Sequence, residues 1–121
     1  MSTTDRTGAG ALDEVTRGLV RLHGEYYGKG PTKARSHMLD DTLISILEGG
    51  FTTVETTLIA DGKSDAVHHM RSSFQMAMEG RFRAVVEDAT SRTVIAYMSQ
   101  IHTNPDLAVE LFVLEPATER R

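Results

Sequence analysis

The sequence contains no cysteine and no tryptophan, only three prolines, and an aromatic complement of four phenylalanines and three tyrosines. Without cysteine there is no disulfide framework, no thiolate zinc site and no cysteine nucleophile. The apolar stretches are a few residues long, far short of the ~20 that a membrane-crossing helix requires. No direct membrane insertion is therefore expected, and any work at a membrane has to go through a partner. The first ten residues are small and polar, with Ser2, Thr3, Thr4 and Asp5, and lack the apolar centre of a signal peptide. Positive charge is not in excess either. The formal net charge is −4, the wrong sign for general binding to a phosphate backbone, so nucleic acid is not an expected partner.

Motifs are as scarce as cysteines. His23, His37, His68, His69 and His102 form no His-x-x-His or His-x-x-x-His pair, and His68 and His69 diverge by about 100° on a helix. No metal site and no cofactor are expected. Gly62-Lys63-Ser64 looks like the end of a phosphate-binding loop, but Thr57 stands where that loop needs glycine, and a helix rather than a strand leads in. It reads as an interhelical turn. No catalytic residue is assigned, and the chain is not expected to be an enzyme.

What remains is a clear pattern of elements. At 121 residues and 40% hydrophobic content, the chain suits one globular domain with a real core. Residues 1–10 read as a disordered tail. Leu12, Val15, Leu19, Leu22 and Tyr26 then fall at spacings of 3, 4, 3 and 4, one stripe of an amphipathic helix. Gly28-Lys29-Gly30-Pro31 stops that helix. Residues 32–38 and 43–47 are expected to pair as a hairpin about Leu39-Asp40-Asp41. After Gly49-Gly50, Thr52 and Glu55 have the spacing of a capping box at the start of a short helix. Ser64 is expected to cap a longer helix, with Val67, Met70, Phe74, Ala77 or Met78, Phe82 and Val85 on its apolar side. Val94 to Ile101 and Leu107 to Leu114 read as strands about Asn104-Pro105-Asp106, and residues 117–121 as a tail. The fold class is α+β, a single domain over 11–116 in the order α-β-β-α-α-β-β. Its four-stranded sheet is expected to be antiparallel or mixed, with helices on one face.

Three surfaces are candidates for binding. In the Gly28-Lys29-Gly30-Pro31 corner, two glycines let backbone amides approach an anion while Lys29, with Lys33 and Arg35 nearby, supplies charge. The plainer reading is a helix stop. Arg71, Arg81 and Arg83 lie on the long helix and are a candidate basic edge for an anion or partner. The final hairpin is expected to leave an exposed edge strand, a natural place for pairing with a second copy.

Three stretches resemble a known family. They are Val20-x-x-x-x-Glu25-Tyr26-Tyr27-Gly28-Lys29-Gly30-Pro31-Thr32-Lys33-Ala34, then Gly49-Gly50-Phe51-Thr52-Thr53-Val54-Glu55-x-x-Leu58, and Phe112-Val113-Leu114-Glu115-Pro116. Together they look like MpsC, a bacterial family named for a sodium-translocating, membrane-potential-generating system, and the likeness extends over roughly residues 11 to 116. The resemblance implies a small accessory or regulatory subunit of a system that moves sodium and takes up inorganic carbon. Together with the exposed hairpin edge and the absence of catalytic motifs, it gives the expectation of action by protein–protein interaction, as a homodimer and with membrane transporter subunits. It places the protein in the cytoplasm or, through a partner, at the inner membrane. The family has no assigned catalytic residues, so none carries over. An alternative is a small-molecule or anion sensor using Gly28 to Pro31. A weaker one is a nucleic-acid-binding domain like the KH and BolA folds, although the turn Ala60-Asp61-Gly62-Lys63 has only one of the two glycines that a KH loop needs.

Overall fold

The computed structural model describes residues 8–116. Helix α1 runs from Ala9 to Tyr27, followed by β1 (Lys33–Leu39), β2 (Thr42–Glu48), α2 (Thr53–Ala60), α3 (Ser64–Thr90), β3 (Val94–His102) and β4 (Leu107–Leu114). The α-β-β-α-α-β-β order is the expected one, with α1 starting at Ala9, ahead of the expected domain start at residue 11. Of the tail expected over residues 1–10, Ala9 and Gly10 belong to α1, while residues 1–7, like the tail at 117–121, lie outside the described residues.

The sheet is antiparallel throughout, in the order β1-β2-β4-β3. The two hairpins are joined through β2 and β4, which leaves β1 and β3 as edges. β1 turns into β2 through Asp40 and Asp41, with Asp40 at φ 54°, a conformation its short polar side chain tolerates. An extra residue, Ile95, breaks the β3–β4 register and is 54% exposed.

Both long helices lie on one face of the sheet, and the core fills the space between. Val15 and Leu19 of α1 meet Met78, Phe82, Val86 and Ala89 of α3, with Leu43, Phe112, Leu114 and Val94 from the strands. α1 and α3 approach closely at Gly18, where a Cβ would sit 2.6 Å from Val85 Cγ1. A smaller cluster of Phe51, Val67 and Ile101 lies under α2.

The capping box forms as expected: Thr52 N–H donates to Glu55 Oε1 at 2.9 Å, and Glu55 N–H donates to Thr52 Oγ1 at 3.2 Å. The cap of α3 differs. Ser64 is the first helical residue, and no side chain caps that end. The buried stripe of α3 also differs. It passes through Val67, Arg71, Gln75, Met78, Phe82 and Val86, so Met70 and Ala77 face outward. Of the two methionines expected on the apolar side of α3, Met78 is buried and Met70 is exposed; Met76 and Met98 are exposed as well.

Candidate functional site

Arg71 and Gln75 occupy core positions on α3, and His23 does the same on α1, one helical step after Val15 and Leu19. These polar residues face a polar row that crosses the sheet. Ser36 pairs with Ser45, Ser45 with Glu110, and Glu110 with Ser99, one residue from each strand. The row separates the two apolar clusters.

The Thr16–Ser36–Ser45 links and the contacts of Glu110 each have a chemical reason. Thr16 Oγ1 lies 2.7 Å from Ser36 Oγ, and Ser36 Oγ 2.7 Å from Ser45 Oγ, so the hydroxyls satisfy one another. Glu110 is 0% exposed; its Oε1 accepts from Tyr97 Oη at 2.5 Å and its Oε2 from Gln75 Nε2 at 3.2 Å. Nε2 of His23 is 3.8 Å from Glu110 Oε2, while His23 Nδ1 lies 2.8 Å from the Leu19 carbonyl. Burial pushes the Glu110 carboxyl up to about 7, against the downward pull of the Tyr97 hydroxyl. Burial lowers His23, despite its bond to the Leu19 carbonyl. Each group is thus driven toward its neutral form. The Tyr97 hydroxyl is raised, first by burial and then by the carboxylate beside it.

A second cluster lies toward the C-terminal end of α1. Arg71 Nε donates to Glu55 Oε2 and its Nη2 to Glu55 Oε1, both at 2.6 Å, a bidentate pair 3% and 2% exposed. Arg71 also donates to the Gly50 carbonyl at 3.1 Å, and its guanidinium stacks 3.7 Å from the Tyr27 ring centre. Burial raises the Glu55 carboxyl, but Arg71 and the Thr52 backbone amide outweigh it and hold it below its ordinary value. The Tyr27 hydroxyl is pushed up to about 12, chiefly by burial. Above this pair a groove of about 420 Å³ opens to solvent between Tyr26, Val54, Leu58, Met70 and Phe74. Between the two clusters, beside His23, Phe51 and Arg71, a cavity of about 10 Å³ is at the lower bound for a single water.

Arg71, Arg81 and Arg83, read as one basic edge, are dispersed. Arg71 is inside, Arg81 lies 5.2 Å over the Tyr26 ring, and Arg83 bonds Glu79 at 2.7 Å and the Val94 carbonyl at 2.5 Å. Their spacings of 10 and 2 put them on three sides of the helix, so they form no edge. At the corner, Gly28 takes the left-handed cap at φ 80° and donates to the Gly24 carbonyl. Lys29 Nζ donates to the Gly49 carbonyl at 2.6 Å, tying the corner to the end of β2. Arg35 pairs with Glu48 at 2.8 Å. Lys33 faces an open groove of about 340 Å³ between α1 and β1, which Pro31, Thr32, Arg17 and Arg21 also line. The turn compared with a KH loop holds Lys63 against Asp61.

His23, Glu55, Gln75, Tyr97 and Glu110 were not among the expected site residues. Glu110 had a signal: it shares its strand face with Ala108, Phe112 and Leu114, a core face with one carboxylate in it.

The fold and these clusters define a class, a small α+β domain with an ionisable layer buried between its helices and one face of an open sheet. The chain belongs to the MpsC family: the family model described as "Na+-translocating membrane potential-generating system (MpsC)" matches residues 12–116. Membership suggests a role in the Mps sodium-translocating system. No curated protein and no solved structure matches the chain. Among the described residues no helix is long and apolar enough to cross a membrane, and no group of three or more His, Asp or Glu is placed to hold a metal ion.

Proposed function

We propose that this chain is a non-enzymatic accessory subunit of the Mps system, acting by contact with other proteins. On this reading it works in the cytoplasm and reaches the membrane through transporter subunits. The observation that supports it is the sheet face turned away from the helices. Ile44, Ile46, Val109 and Leu111 stand there on the two inner strands, with no helix over them among the described residues. An apolar surface of that kind is chemistry for association. Co-purification tests the reading: the tagged full chain is expected to bring down Mps membrane subunits from detergent-solubilised membranes. Recovery of the chain alone, from membranes in which those subunits are present, refutes it.

A second reading, an anion sensor, draws support from the groove beside Pro31. Arg17, Arg21 and Lys33 gather there in a chain of net charge −4. Thermal-shift titrations with bicarbonate, phosphate and nucleotides test it. A stabilisation that survives Lys29→Ala but is lost in Arg17→Ala/Arg21→Ala places the anion in the groove rather than on the corner. No stabilisation by any of them removes the reading.

A further inference from the structure

The strands carry an excess of apolar side chains. β2 reads Leu43-Ile44-Ser45-Ile46-Leu47 and β4 ends Leu111-Phe112-Val113-Leu114. An antiparallel strand with one wet face alternates apolar with polar, whereas a strand covered on both faces reads as a near-continuous apolar run. Leu43, Leu47, Phe112 and Leu114 are buried under the helices, so Ile44, Ile46, Leu111 and Val113 belong to the other face. The register sets them in contiguous rows. Ile44 lies beside Leu111 and then Met98; Ile46 lies beside Val109; Val113 lies beside Ala96. Met98 is 53% exposed and Leu39, at the corner of the same face, 64%. Residues 1–7 and 117–121 hold a single large apolar side chain, Met1.

We propose that a second copy of this chain covers this face, the two sheets stacking about a two-fold axis that runs along the strands between β2 and β4. The proposal rests on the reading of the protein as one that works by contact, and it commits that contact to a single occupant. Size permits it. Four strands ~4.8 Å apart and about seven residues long at ~3.3 Å each give a footprint of roughly 440 Å² per copy. Two such footprints, corrugated by their side chains, approach the roughly 1,000 Å² total of a specific interface.

Charge selects the axis. On this face the β1 edge carries Lys33, Arg35 and His37, while the β3 edge carries Met98, Gln100 and His102 and no carboxylate. Glu48 lies beside Lys33 in the register and pairs with Arg35. An axis across the strands lays β1 on the second copy's β1 and brings the two basic edges together, Arg35 toward His37, which like charge opposes. An axis along the strands lays β1 over β3 instead. It also sets Ile44 over the second copy's Leu111 and Ile46 over its Val109, with the cations at a wet rim. That arrangement has the apolar centre and polar border of a working interface.

The test is the mass of the full chain in solution at tens of micromolar, by sedimentation equilibrium, together with Leu111→Lys and Met98→Lys. The second variant is included because Met98 stands on an exposed edge and accepts a lysine without disturbing the fold. Wild type is expected at twice the monomer mass. Leu111→Lys is expected to weaken association by at least ~100-fold, as an unpaired charge in a buried interface does, and Met98→Lys to weaken it several-fold by standing against the second copy's basic edge, both with unchanged far-ultraviolet circular dichroism. A benzophenone side chain at Met98 is expected to cross-link to the second copy's Arg35–His37 stretch. Cross-linking to β3 instead overturns the axis. A dimer that persists in both folded variants overturns the face, and points to a strand edge. A monomeric wild type whose capture of Mps subunits is lost in Leu111→Lys overturns the second copy as occupant and leaves the accessory reading standing. A monomer whose capture is indifferent to both variants overturns the second copy and the face together, and leaves the accessory reading standing.

Discussion

Replacing Glu110 with glutamine keeps the side chain's shape, leaves a carbonyl oxygen to accept from Tyr97, and removes the ionisation. The carboxyl titrates at about 7 in the fold, against an ordinary value of 4.5. Below pH 4.5 it is protonated in both states and costs nothing. Between 4.5 and 7 the unfolded chain releases the proton while the folded chain keeps it, so stability falls as pH rises. At about 1.4 kcal/mol per pH unit, the loss comes to about 3 kcal/mol by pH 8. His23 has the opposite sign, because its depressed value makes the folded chain resist protonation below 6.5, and stability rises with pH there. Comparing Glu110→Gln with wild type at each pH removes most of the His23 contribution. Urea unfolding at one protein concentration, from pH 4.5 to 8, is the assay. The variant is expected to gain about 3 kcal/mol on wild type across that range, a midpoint shift on the order of 1 to 2 M urea. A difference between the two proteins that does not change with pH refutes the reasoning. It would mean that Glu110 titrates alike in the folded and unfolded chain, through water reaching it or a charge that the packing already meets.

Arg71→Met strands the Glu55 carboxylate and is expected to cost about 3 to 5 kcal/mol in chemical denaturation, while Arg71→Met/Glu55→Leu costs well under the sum of the two single changes; strict additivity would show that the pair is not coupled. Gly18→Ala gains about 1 kcal/mol of helix propensity but drives a methyl to within 2.6 Å of Val85, and the overpacking, about 1 to 3 kcal/mol, is expected to prevail. A higher melting temperature for Gly18→Ala would mean that α1 and α3 part easily. Gly49→Ala combines φ 72° with a Cβ 2.2 Å from Thr32 Oγ1, so calorimetry is expected to show a loss of at least about 1 kcal/mol, and a neutral result would place that turn elsewhere.

The element order was legible because each boundary has its own local chemistry. Gly28 caps, Thr52 and Glu55 box, the Asp40-Asp41 turn reverses, and the strands alternate. The candidate site was not legible, for an equally physical reason. A search for apolar spacing steps over His23, Arg71 and Gln75, although they occupy the same stripes as Val15, Leu19, Val67 and Met78. A buried polar residue is announced by its partner, and the partners lie far away in sequence: Arg71 reaches 16 residues back to Glu55, Gln75 reaches 35 forward to Glu110. The three arginines, grouped as one edge by proximity in the chain, were separated by helical rotation. Lys29 was read as a charge offered to a ligand, and it bridges to a carbonyl 20 residues on.

The polar row also bears on how the chain chooses its two sheet faces. In β4, the outward residues Leu107, Val109, Leu111 and Val113 are more apolar than the inward set of Ala108, Glu110, Phe112 and Leu114. Hydrophobicity alone would turn the strand the other way, and a one-residue slip would do it. The polar partners oppose that slip, because Gln75 of α3 and the Tyr97 hydroxyl of β3 meet Glu110 in the observed register, and Thr16 of α1 does the same for Ser36 and Ser45. A carboxyl that costs stability at neutral pH therefore specifies which face meets the helices. The face so excluded is the one rich in isoleucine, valine and leucine. The buried polar row and the aliphatic outer face are two consequences of one register.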